Sequence, residues 1–231
     1  MSFFLINSSI GRKLVMSISG MFLILFLTFH MCMNLVAIIS PEGYNTVCEF
    51  LGANWYALIG TAILAGGFII HILFGLLLSI ENRRARGNDR YAVTARPKTV
   101  EWASQNMLAL GIVILALLGL HLYHFWAKMQ FVELQAMAGV EVDSNLLANA
   151  TNGYGLIEQT FSNPVVVVLY LVMLCALWFH ISHGFWSSLQ SMGLSNSVWL
   201  KRIQVISMVY ATLLVAGFAV VVIFFFVKSI L

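Results

Sequence analysis

The chain has 231 residues, of which 61% are hydrophobic and only 9% are charged, and its formal net charge is +3. Soluble domains carry about a quarter charged residues, so this composition excludes an ordinary soluble enzyme and predicts no nucleic-acid partner. The three cysteines are isolated and form no C-x-x-C motif, which argues against an iron–sulfur cluster held by this chain and against c-type haem attachment. We therefore expect one membrane domain that covers residues 1–231.

Five apolar segments are long enough to cross a hydrocarbon core as helices. In chain order they cover about 14–39, 56–80, 104–127, 164–189 and 205–227, and a span needs ~20 residues. The first follows Arg12 and Lys13, as a signal peptide would, but its apolar run is longer than the ~7–15 residues of such a peptide. The connection from Met129 to Asn163 is mildly amphipathic and is expected to lie on the outer membrane surface. The sequence thus predicts an all-α membrane protein with five transmembrane helices.

Basic residues predict the orientation of these helices. Positive charge collects before helix 1, between helices 2 and 3, and between helices 4 and 5, whereas the other side carries two lysines and most of the acidic residues. Cytoplasmic loops are enriched in lysine and arginine, so the N-terminus is expected in the cytoplasm and the C-terminus outside. The residues on the basic side are Arg12, Lys13, Arg83, Arg84, Arg86, Arg90, Arg96, Lys98, Lys201 and Arg202.

Four histidines lie deep inside four different apolar segments. An ionisable residue in hydrocarbon is costly and is a functional-site hypothesis by default. Because helices 1 and 3 run outward, His30 and His121 are expected in the outer half of the membrane. Helices 2 and 4 run inward, which places His71 and His180 in the inner half. The two levels would differ by roughly 10–15 Å at 1.5 Å of rise per residue.

Two facing imidazoles in a helical bundle are the ligand set of a low-spin haem. Zinc or di-iron sites would require three or four ligands at one level, and di-iron sites use carboxylates, which the interiors of the segments lack. Helices 1–4 are therefore predicted to form a bundle that holds two b haems. His124 and His183 each follow a proposed ligand by three residues, on the same helical face. They are alternative ligands, partners of haem propionates or boundary residues, and spacing does not choose among these roles.

The motifs resemble those of a known family, the cytochrome b membrane anchors of succinate:quinone oxidoreductases. The similarity is to the single-chain, five-helix, di-haem class, which includes menaquinone-linked fumarate reductases, and it covers nearly the whole chain. The motifs are H-M-C-M-N at 30–34, H-I-L-F-G at 71–75, H-L-Y at 121–123 and H-I-S-H-G-F-W at 180–186. The resemblance implies that His121 and His180 are the ligands, rather than His124 and His183.

The same resemblance implies partners and substrates. It predicts a flavoprotein subunit and an iron–sulfur subunit on the cytoplasmic side of a bacterial inner membrane, and it allows a dimer of complexes. Electrons would pass between the iron–sulfur subunit, the inner haem, the outer haem and a quinone, most simply menaquinone, with no dicarboxylate site on this chain. The arginines between helices 2 and 3 could serve haem propionates or contact the iron–sulfur subunit, although orientation alone explains them.

Two positions bear on the quinone reaction. Relatives carry a carboxylate for the quinone near the outer end of helix 2, and the best match here is Glu49, although its spacing to His71 is short. Asn34, one turn after His30, is a candidate hydrogen-bond donor to the same headgroup. Some relatives also have a glutamate two residues before the helix 4 ligand that relays protons, but this chain has Trp178 there. Proton transfer by that route is therefore not expected.

Three alternatives remain open from the sequence. One is a di-haem cytochrome b of another quinone-linked enzyme, such as a hydrogenase, formate dehydrogenase or nitrate reductase. Another is a metal or proton transporter built on a histidine relay, which the missing intramembrane carboxylates disfavour. The third is a purely structural anchor whose histidines are packing residues.

Overall fold

The computed structural model describes residues 8–86 and 101–231, and the regular structure in these ranges is helical throughout. Five of its helices are long and apolar enough to cross a membrane, which confirms the predicted all-α, five-helix fold. Their orientation remains a prediction, and Arg90, Arg96 and Lys98 lie outside the described residues. The helices in chain order are α1 (Ser9–Ile39), α2 (Pro41–Phe50), α3 (Trp55–Arg86), α4 (Trp102–His124), α5 (Gln130–Met137), α6 (Ser144–Ala150), α7 (Gly153–Phe161), α8 (Pro164–Ser191) and α9 (Trp199–Ile230).

The short helices begin at side-chain caps that can be seen in the sequence. Before α2, the Ser40 hydroxyl accepts a hydrogen bond from the Gly43 amide, and Pro41 occupies a first-turn position where its missing N–H costs nothing. Asp143 caps α6 and Asn152 caps α7 through their side-chain oxygens. The connection after α4, expected as one amphipathic segment, is therefore a 3₁₀ turn (Trp126–Lys128) followed by three short helices.

The described residues group into two compact units, and the expected single domain remains a prediction. The described residues of the first unit fall within Met1–Phe26, Leu64–Ile112 and Trp178–Thr212. Within it, Arg12 forms an ion pair with Glu81 at 2.9 Å. The indole N–H of Trp178 donates to the Thr212 hydroxyl at 2.9 Å, so the side chain at the position that differs from some relatives contacts α9.

The second unit comprises Leu27–Ile63, Val113–Leu177 and Leu213–Leu231. Its apolar core brings together α1, α2, α7, α8 and α9. Burial stabilises this packing by ~25 cal/mol for each Å² of apolar surface removed from solvent. Lys228 near the end of α9 is paired with Glu158 of α7. The core is formed by Ala37, Tyr44, Ile157, Phe161, Val167, Tyr170, Leu174, Val221, Val222 and Phe225.

Candidate functional site

The second unit contains a pair of facing histidines, which we call the first histidine pair. His30 of α1 and His121 of α4 have ring centroids 5.7 Å apart, with their planes at 87°. Aromatic side chains surround the two rings: Phe218 contacts His30 at 5.7 Å, and Phe125 and Tyr170 contact His121 at 5.2 and 6.2 Å between centroids. The structure thus brings together the two histidines that the depth argument paired, inside an apolar and aromatic wall.

The first unit contains the second histidine pair, formed by His71 of α3 and His180 of α8. Their ring centroids are 6.2 Å apart, with their planes at 68°. Glycines lie next to both rings: a Cβ atom on Gly20 would lie 3.2 Å from Cε1 of His71, and one on Gly111 would lie 3.9 Å from Cε1 of His180. The first distance is tighter than an ordinary contact and the second is an ordinary van der Waals contact, so a side chain at Gly20 would press on His71 whereas a Cβ at Gly111 would just touch His180.

Both pairs have the spacing of two ligands of one metal ion. With metal–nitrogen bonds of about 2 Å, imidazoles on opposite sides of a metal have ring centres roughly 6 Å apart. Within residues 8–86 and 101–231, no group of three or more His, Cys, Asp and Glu side chains could hold a metal ion by itself. A haem would need only two side-chain ligands, and each histidine pair could supply them. The residues present therefore fit a bis-histidine haem in each unit.

The surroundings of the ring nitrogens are a second observation that fits metal binding by these pairs. Nδ1 of His180 is buried and has no hydrogen-bond partner among the described residues, and a buried polar atom without a partner costs about 1–3 kcal/mol. Nδ1 of His71 lies 3.4 Å from the Ser19 hydroxyl, and Nδ1 of His30 lies 3.4 Å from Nδ2 of Asn34. One imidazole of each pair therefore has a polar neighbour on α1.

The two remaining histidines have other partners. Nδ1 of His124 lies 3.2 Å from the Tyr170 hydroxyl, and the two rings stack at 6.0 Å with planes 15° apart. His183 pairs with Glu101, whose carboxylate lies 3.0 Å from its Nδ1. In the described part of the chain, neither ring faces a second histidine. The structure therefore distinguishes His121 from His124, and His180 from His183, by what each ring faces.

The two residues predicted to contact the quinone differ in their surroundings. The Asn34 amide donates to the backbone oxygen of His30 at 2.8 Å and accepts from the Tyr44 hydroxyl at 3.2 Å. Burial and the neighbouring Cys48 thiol raise the pKa of Tyr44, so its hydroxyl stays protonated and donates. Glu49 is exposed on α2, and among the described residues its carboxylate makes no hydrogen bond. The structure brings Asn34 to His30 but shows no contact between Glu49 and either pair.

Sequence reasoning did not single out Tyr44, Tyr170 or Glu133. Glu133 is half-buried on α5, where its carboxylate accepts a hydrogen bond from the backbone N–H of Ala53 at 2.6 Å. Tyr170 joins His121 and His124 through ring contacts, and Tyr44 reaches Asn34 from another helix. No local spacing links these residues to a histidine, because each contact depends on how the helices pack.

Comparison with known proteins supports the same class of protein. The chain matches no protein-family model and no solved structure. It is similar to the succinate dehydrogenase cytochrome b558 subunit of Bacillus subtilis, with 23% identity over 193 residues that cover 83% of this chain and 81% of the relative. Together with the five apolar helices, this similarity confirms the resemblance to cytochrome b membrane anchors that the motifs indicated.

Proposed function

We propose that this chain is the membrane-anchor and electron-transfer subunit of a succinate dehydrogenase or fumarate reductase. In this proposal it carries two b haems and passes electrons between an iron–sulfur subunit and a quinone, most simply menaquinone. The observation that carries the proposal is the sorting of four intramembrane histidines into two facing pairs, 5.7 and 6.2 Å between ring centroids. The relative in Bacillus subtilis, by its name, is a cytochrome subunit of the same enzyme.

Each part of the chain would have a defined task. His30 and His121 would hold one haem iron, and His71 and His180 the other, each through a neutral imidazole nitrogen. When bound, the haem supplies one-electron redox chemistry, which these side chains do not provide. The aromatic side chains around the first pair exclude water and fix the rings, and the glycines beside the second pair leave space.

The partners follow from the same proposal. A flavoprotein subunit and an iron–sulfur subunit would bind on the cytoplasmic side of a bacterial membrane, next to the basic end of the helices. Positive charge at this end of α1, α3 and α9 supports that orientation. Asn34 and Glu49 stay predictions as quinone contacts, with Glu49 as the group that would exchange a proton with the quinol.

The chain offers matched controls for testing the ligands. We would purify the complex and measure haem per chain, with variants H121A and H180A compared with H124A and H183A, which remove a histidine three residues later on the same helix. The wild type should hold about two haems per chain with b-type spectra, as expected for bis-histidine ligation. H121A and H180A should each lose one haem, whereas H124A and H183A should keep both.

Two results would contradict the proposal. A wild-type complex without haem would remove its basis, and loss of haem only in H124A or H183A would reassign the ligands. Copurification of a flavoprotein and an iron–sulfur protein, with succinate-dependent quinone reduction, would support the proposed enzyme. Copurification of a hydrogenase, formate dehydrogenase or nitrate reductase subunit would instead identify a different di-haem cytochrome b.

A further inference from the structure

One turn of α1 packs against the His71 imidazole. Ser19 is buried, with 7% of its surface exposed, and its hydroxyl oxygen lies 3.4 Å from Nδ1 of His71. The same hydroxyl donates to the backbone oxygen of Met16 at 3.1 Å. The next residue, Gly20, lets this turn approach the edge of the ring closely, because its missing Cβ would lie 3.2 Å from Cε1.

The direction of these hydrogen bonds determines which ring nitrogen carries the proton. A serine hydroxyl has one hydrogen, and here the Met16 carbonyl accepts it. With its hydrogen on Met16, Ser19 can only accept from His71, and this arrangement requires that Nδ1 carry the proton of the neutral ring; the Nδ1–Oγ distance of 3.4 Å by itself fits either direction. The opposite nitrogen, Nε2, then keeps its lone pair, which is the form that binds a metal ion.

We propose that Ser19 is a positioning residue for His71, which holds the imidazole with Nδ1 protonated and Nε2 free to bind the haem iron. This inference rests on the proposed function, because it assumes that His71 is a ligand. Hydrogen bonding at the outer nitrogen of a ligating histidine fixes the ring and raises its basicity. Ser19 thus strengthens electron donation from His71, which stabilises the oxidised iron and lowers the potential of this haem.

The two ligands of the second pair differ in this respect. Nδ1 of His71 has the Ser19 hydroxyl of α1 as a neighbour, whereas Nδ1 of His180 is buried without a partner among the described residues. The side-chain contact that α1 makes with this pair therefore reaches it through His71. Ser17 is the natural comparison: it lies on the same helix, is also buried at 6% exposure, and makes no side-chain hydrogen bond in the described part of the chain.

The test is a redox titration of the haems in the purified complex, with S19A, S19T and S17A compared with the wild type. S19A should raise the midpoint potential of one haem and change its low-spin electron paramagnetic resonance signal, leaving the other haem unchanged. S19T keeps the hydroxyl and should stay near the wild type. S17A should move neither haem. Unchanged potentials and signals in S19A, or the same change in S17A, would overturn the assignment.

One further variant, S19C, compared with S19T, covers the case in which S19A does not assemble. A thiol is a weak hydrogen-bond acceptor, so S19C should raise the potential of the same haem, whereas S19T should not. Equal potentials in S19C and S19T would refute the role of the hydroxyl. Failure of the proposed function gives a different result, since the wild-type complex would then contain no haem, or H180A would keep both haems.

Discussion

Gln130 joins three separate segments through one buried side chain, and its loss should destabilise the second unit. Its carbonyl oxygen accepts from the Thr61 hydroxyl at 3.0 Å and from the Trp126 indole N–H at 2.9 Å. Its amide nitrogen donates to the backbone oxygen of Gly52 at 3.1 Å. Only 7% of the residue is exposed, so a truncated side chain would leave all three partners without a replacement from the protein.

The expected magnitude follows from these three bonds. A net contribution of about 0.5–1.5 kcal/mol per hydrogen bond gives roughly 1.5–4.5 kcal/mol for Q130A. Because Trp126 is 37% exposed and Thr61 is half-buried, water can recover part of this, which favours about 2–3 kcal/mol. For a chain of this length, that loss lowers the melting temperature by roughly 5–10 °C.

Thermal unfolding of the detergent-solubilised protein, followed by circular dichroism, would measure this effect. The matched control is Q135A, which removes a half-buried glutamine from the same short helix. In the described residues, the Gln135 side chain makes no hydrogen bond, so Q135A should change the melting temperature little. Equal melting temperatures for Q130A and Q135A would show that the three bonds do not stabilise the unit.

Two further predictions concern the same unit. A Cβ on Gly217 would lie 2.5 Å from Sδ and 2.8 Å from Cγ of Met31, so G217L should destabilise the protein by about 1–3 kcal/mol through overpacking. Thermal unfolding should show that adding M31A to G217L recovers part of the lost melting temperature. No recovery in the double variant would mean that the strain does not arise at Met31. Burial raises the pKa of the Cys48 thiol to about 11, and only the thiolate reacts with maleimide. In a variant with Cys48 as its single cysteine, maleimide labelling should therefore rise roughly tenfold per pH unit from pH 8 to 10. A labelling rate that levels off between pH 9 and 10 would indicate an ordinary thiol.

The long helices could be predicted from the sequence because hydropathy reports the part of a helix that lies in hydrocarbon. The ends of these helices depend instead on backbone hydrogen bonding. The fifth segment was predicted from about 205, the start of its apolar run, whereas α9 begins at Trp199 and includes Lys201 and Arg202. Backbone hydrogen bonding continues past the apolar residues, since charged side chains are good helix formers outside the membrane.

The candidate site could likewise be predicted only in part from the sequence. The pairing of His30 with His121 and of His71 with His180 follows from helix direction and depth, and the structure brings these rings together. Spacing could not separate His124 from His121, because both lie on one face of α4. The distinction comes from tertiary contacts: His121 faces His30, whereas Nδ1 of His124 lies 3.2 Å from the Tyr170 hydroxyl of α8. The contact with Tyr170 has no signal in the local sequence.

The hydrogen bonds of Asn45 on α2 impose an order on biosynthesis. Asn45 bonds to the Asn152 side chain and to the Tyr154 backbone N–H, 107 and 109 positions later. At ~5–20 residues per second of translation, the partners of Asn45 are synthesised roughly 5–20 s after Asn45 itself. His30 and His121 both precede Tyr154 in the chain, whereas His180 follows it. The first histidine pair can therefore form on the nascent chain before the partners of Asn45 exist, whereas the second pair cannot form until α8 has been synthesised.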